Sequence, residues 1–188
     1  MGVSRLFLIG ADTVASVLMP FLNSEKDDDI RLNIFSRYTR IIFTATIIGV
    51  FLVIACADLV VPFIYGSDFT ASVRPLKILL IGTLFACLTK FFSVYSVITG
   101  NIRLNLYSVN IAFIATIALD FLLIPKYGII GASIANACSS LVLFTSLIIA
   151  QYLNKILVVK NYFLITLSDI KLMISQSLEI RDYIFQKM

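Results

Sequence analysis

One cation stands where water would not be expected. Lys90 lies in "FACLTKFFSVYS", deep inside the apolar run from Leu76 to Thr99. If that run crosses a bilayer, a charge near its centre costs about 2.5–3.5 kcal/mol on insertion scales, and something must offset it. Either the side chain snorkels toward the cytoplasmic interface or it pairs with a carboxylate, for which Asp120 on the following apolar run is a candidate. Asp58 sits nearer the end of its run, just before Pro62, and reads as interfacial. Arg31, Arg37 and Arg40 close a polar stretch, "NSEKDDDIRLNIFSRYTR", from Asn23 to Arg40. Its three adjacent Asp residues lie beside Lys26 and Arg31, which is the composition of a solvated loop more than of a Mg²⁺ site.

Covalent chemistry finds no foothold. The chain has no His, and Cys56, Cys87 and Cys138 are isolated inside apolar runs, with no paired spacing for zinc, redox work or a disulfide. No Gly-rich Lys-Ser/Thr motif for ATP phosphates occurs. The expectation is a protein that is not an enzyme and needs neither cofactor nor metal.

The elements that must position Lys90 follow from composition. Apolar residues make up 60% and charged ones 14%, against roughly 45–50% and about 25% in a soluble domain. Residues 41–64, 76–99, 104–124 and 128–153 are each about as long as the roughly 20 residues a membrane helix needs. A fifth run, 6–22, is shorter and holds Asp12, so it reads as a weaker span. Its interrupted apolar core and lack of a small-x-small cleavage site argue against a signal peptide. Only helices or closed barrels satisfy the backbone in hydrocarbon, and these runs are too long for barrel strands. The predicted fold is an all-α integral membrane bundle of about five transmembrane helices over residues 1–155, followed by a cytoplasmic amphipathic tail over 156–188. In that tail Leu167, Ile170, Ile174 and Leu178 recur at helical spacing.

Strict alternation puts Lys26, Arg31, Arg37, Arg40, Arg103, Lys155 and Lys160 on one side, which the distribution of basic residues predicts to be cytoplasmic. The net charge of +4 is then a topological signal and not a nucleic-acid footprint. Between the last two runs, "LLIPKYGIIGASIANA" (122–137) predicts a transmembrane hairpin. Pro125 ends one helix, Lys126 and Tyr127 sit at headgroup level, and Gly128 permits the reversal. Beyond it, Gly131, Ala135 and Ser139 form one small-residue row, and Gly128, Ala132 and Asn136 another, as close helix packing requires.

This hairpin resembles the one near the C-terminal end of bacterial polysaccharide flippases, of the multidrug/oligosaccharidyl-lipid/polysaccharide exporter superfamily that includes the O-antigen flippases. "VVPFIYGSDFTASVRPLKILLIG" (60–82) is similar to their outer loop, and "TVASVLMPFLN" (13–23) to the end of an earlier helix in the same half. The resemblance implies the C-terminal lobe of a two-lobe transporter in the bacterial inner membrane. The substrate would be a polyprenyl-diphosphate-linked oligosaccharide for surface polysaccharides such as lipopolysaccharide O-antigen. A missing N-terminal lobe or second polypeptide would enclose it, unless the chain is a truncated product. In that setting Lys90 would draw in the diphosphate, with Asp120 as partner or polar packing residue, and Arg37 and Arg40 would receive the anionic headgroup at a membrane-entry portal. The alternative is a non-transporting membrane scaffold of glycan assembly or an inactive remnant.

Overall fold

The computed structural model describes residues 2–156; the predicted amphipathic tail, apart from Ile156, lies outside them. The described chain is helical throughout. Helix α1 spans Gly2–Ser24, α2 Asp28–Tyr65, α3 Val73–Ile98 and α4 Ile102–Leu153, with a 3₁₀ turn at Ser67–Ser72 between α2 and α3. By length and composition four helical segments can cross a membrane. Many of their hydroxyls are satisfied locally. Thr46, Thr83, Thr89, Thr116 and Ser139 each donate to the carbonyl four residues earlier, which removes the cost of carrying a hydroxyl in an apolar helix.

The fourth helix is two. Straight, its 52 residues would reach about 78 Å at 1.5 Å per residue, yet both its ends bond to the same part of α3. Asn105 Nδ2 donates to Ser93 Oγ at 2.9 Å, and Gln151 Nε2 to Ser96 Oγ at 2.6 Å. The break is Gly128, whose backbone (φ 56°, ψ −129°) is the one non-helical point in the run. Residues 102–127 and 129–153 are therefore antiparallel limbs of a hairpin. Helix continues through Pro125, so Gly128 and not the proline makes the reversal. That accounts for five apolar segments in four helical runs.

Helix α3 is the centre of the bundle, packing against both limbs of α4 and then against α1 and α2. A Cβ added to Gly82 would fall 2.7 Å from the Ala137 Cα, so α3 and the second limb touch backbone to backbone. The same two helices meet again at Ser96 and Gln151, which follow Gly82 and Ala137 by equal numbers of residues; the helices run parallel and in register. The main core lies toward the end that carries the α1–α2 loop. There Leu22, Phe35, Phe91, Phe92, Tyr95 and Leu147 are almost wholly buried. Phe35 stacks on Tyr95 with ring centroids 4.4 Å apart and meets Phe92 edge-on at 5.7 Å.

The stretch expected to be a polar loop differs. Only 25–27 are non-helical, and α2 begins at Asp28. The Asp27 side chain accepts the Ile30 N–H at 3.3 Å, in the manner of an N-cap. Arg31 caps the end of α1 from across the turn, donating to the carbonyls of Leu22 (3.1 Å) and Glu25. Between them the next turns are amphipathic. Phe35, Ser36 and Thr39 are buried, whereas Asn33, Arg37 and Tyr38 are exposed. A helix of 38 residues is about 57 Å long, well beyond a hydrocarbon core of about 30 Å, and its first turns form a charged extension packed on the core through Phe35.

Candidate functional site

The parallel course of α1 and α3 decides what Lys90 meets. Phe7 on α1 faces Gly49 on α2, and its carbonyl lies 3.7 Å from the Cys87 thiol. A little further along both helices, Lys90 Nζ reaches Asp12 Oδ1 at 2.9 Å. Asp12 lies about midway along α1 and Lys90 about two-thirds of the way along α3, and their side chains stay 52% and 48% exposed. An ion pair carries no net charge, so it lowers the cost of a lone ammonium in an apolar setting. It does not remove the need for polar surroundings on its open side.

Asp120 is thus not the residue that meets Lys90. It sits on the first limb of α4 toward the hairpin end, lining a separate cavity of about 610 Å³ between α2, the 3₁₀ turn, α3 and both limbs. Thr116 lies one turn before it on the same wall. Ser133 and Asn136 face it from the second limb, and Tyr65 and Phe69 stand at the α2 side. Those two rings have centroids 5.9 Å apart at a 49° tilt. Among the described residues, no Lys or Arg lines this space. Beside it, Asp58 pairs with Lys77 at 2.6 Å, at the end of the bundle where Asp58 was expected to be interfacial.

The remaining residues singled out by type fall elsewhere. Arg37 is exposed and Arg40 half-buried, both in the first turns of α2. The packing residues divide by row. Gly131 and Ala135 are buried, and a Cβ on Gly131 would come within 2.2 Å of the Leu123 carbonyl oxygen, so the limbs close directly on that glycine. Gly128 is the exposed reversal point, and Ala132 lines the cavity with Asn136.

Two interhelical polar contacts were not anticipated. Gln151 is fully buried and donates to Phe92 O at 2.7 Å as well as to Ser96. Asn105 bridges the first limb to Ser93. The available signal was an amide inside an otherwise apolar helical run, the usual mark of polar adhesion between membrane helices.

No known family's sequence profile matches this chain, and no solved structure does. The chain is similar to the capsular polysaccharide biosynthesis protein CapF of Staphylococcus aureus, 27% identical over 161 residues, which cover 81% of this chain and 39% of that protein. It thus spans well under half the length of this curated relative.

Proposed function

We propose that this chain is the C-terminal lobe of a flippase that moves a polyprenyl-diphosphate-linked oligosaccharide across the bacterial inner membrane. The observation that carries the reading is the Lys90–Asp12 pair, half-exposed inside two apolar helices. An open polar site at that depth faces water or another protein far more readily than lipid. A second lobe, from the preceding part of a longer protein or from another polypeptide, would close over it and make a cavity, as repeat-built transporters do. Similarity to a protein named for capsular polysaccharide biosynthesis supports the glycan class. In this reading an incoming diphosphate competes with Asp12 for the Lys90 ammonium, and no covalent step occurs. The basic residues of the α2 extension, Arg37 and Arg40, face the cytoplasm, where they attract the anionic headgroup, and the C-terminus is cytoplasmic.

Lys90→Ala is expected to abolish surface glycan while leaving the protein inserted in the membrane. The charge exchange Asp12→Lys with Lys90→Asp sharpens this, because it restores the ion pair but moves the cation to α1. Stability should return and export should not. Normal surface glycan in Lys90→Ala cells would remove the role assigned to this site.

A further inference from the structure

We infer that the hairpin-end cavity is a glycan-binding site, taking one or two uncharged sugar rings with Asp120 as its central acceptor. Its size, about 610 Å³, falls within the 300–1,000 Å³ of small-molecule pockets and is far more than a single ion fills. Asp120 lines it with no ion pair or hydrogen bond to any described residue. A carboxylate so placed has up to four lone-pair directions to offer, and adjacent sugar hydroxyls are donors that fill them without bringing a charge. Asn136 opposite supplies both amide donors and an acceptor. Thr116 and Ser133 spend their protons on the carbonyls of Ala112 and Ile129, which leaves their oxygens as acceptors.

The aromatic wall fits the same ligand. Tyr65 and Phe69 are each about half exposed and line the cavity, their rings tilted 49° to each other. The negative face of an aromatic ring attracts the polarised C–H bonds on the flat side of a sugar. Among the described residues no cation lines the cavity, which leaves nothing there to hold a diphosphate, so it would take sugar units and not the phosphate end of the same molecule. The choice of a glycan rests on the proposed class of substrate; binding itself does not depend on export.

The sequence contains no Trp, so Phe69→Trp places a single fluorescent reporter at the cavity. Free hexoses and N-acetylhexosamines would be titrated singly into this variant, as the full chain in lipid nanodiscs. Saturation-transfer NMR on the unsubstituted chain reads the same contact without the reporter. At least one sugar should give a saturable emission change and transfer to its ring protons. Asp120→Ala should weaken that binding about tenfold or more, as loss of hydrogen bonds to a charged group does. No saturable response in either measurement, or one that survives Asp120→Ala, overturns the assignment. So does a response to sodium chloride absent with choline chloride and unaffected by sugar, which would make the cavity a cation site. Sugar binding with normal export in Lys90→Ala would leave the cavity standing and remove the transport reading; Lys90-dependent export without sugar binding would do the reverse.

Discussion

The two ends of the bundle solve the same problem in opposite ways. At the end with the α1–α2 loop, apolar and aromatic side chains from all four helices fill the interior, and the buried Gln151 amide donates within the protein. At the hairpin end the buried apolar cluster shrinks to Ala57, Val61 and Val73 with Leu76 packed against them, and Asp120 and Asn136 are turned to an open cavity. In lipid, apolar surface gains little from leaving its surroundings, so close packing and interhelical hydrogen bonds hold helices together. The filled end supplies both. The open end is held by backbone approach at Gly131 and Gly82, which leaves side-chain space for a ligand. One half serves as the anchor and the other as the receptacle.

Truncation in each half should separate the two ends most visibly. Phe92 is 1% exposed and packs edge-on against Phe35 and Phe144. Phe92→Ala is expected to cost about 2–3 kcal/mol, the cavity part of emptying a packed aromatic site at about 24 cal/mol per Å³ over roughly 100 Å³. Asn136→Ala at the cavity wall should cost within about 0.5 kcal/mol, as for an exposed side chain away from special features. Unfolding by rising SDS fraction in mixed micelles measures both. Equal losses would mean that the cavity is a packed region after all.

Next in size is the hairpin closure. An alanine at Gly131 would bring its Cβ against the Leu123 carbonyl, a backbone group that cannot rotate away, so the limbs must part. Gly131→Ala should lower stability by about 1–3 kcal/mol, the usual cost of overpacking. Gly10→Ala, with nothing near the added methyl, is the control and should be neutral or slightly stabilising, as expected for Gly to Ala inside a helix. A neutral Gly131→Ala in the same titration would show that the limbs are not closed on this glycine.

The hairpin was legible because its chemistry is local. A proline, a lysine, a tyrosine and a glycine between two apolar runs leave few other readings, and the small-residue row at Gly131 and Ala135 marks the face that is buried. The need for something beside Lys90 was equally plain from its depth. Its partner was not, since Asp12 and Asp120 both lie inside apolar runs and only the order of helices separates them; the parallel run of α1 and α3 selects Asp12. The α2 extension was hidden by its own charges. Asp28, Asp29, Arg31, Arg37 and Arg40 read as loop, while the buried Phe35, Ser36 and Thr39 recur too sparsely to announce a helix face. The cavity could not be seen at all, because its walls come from positions between Val61 and Asn136 that meet only through tertiary packing.

The smallest expected effect tests whether the filled end is held by shape alone or also by polar adhesion. Gln151 donates to Phe92 O and to Ser96 Oγ, but its own side-chain oxygen has no partner among the described residues. Gln151→Leu keeps roughly the same volume, removes both donated bonds and removes that unsatisfied oxygen. The Phe92 carbonyl keeps its place in the α3 ladder, and the Ser96 hydroxyl can turn to a carbonyl of its own helix. Interhelical hydrogen bonds in membrane proteins average about 0.6 kcal/mol, reaching about 1.7, so the net loss should be about 0.5 kcal/mol or less. Gln151→Ala, which adds a void to the same loss, should cost about 2 kcal/mol more by the cavity term. If the leucine and alanine variants fall together in the SDS titration, the amide's bonds and not its volume hold the second limb to α3, and the filled end depends on polar adhesion in a way its aromatic core does not suggest.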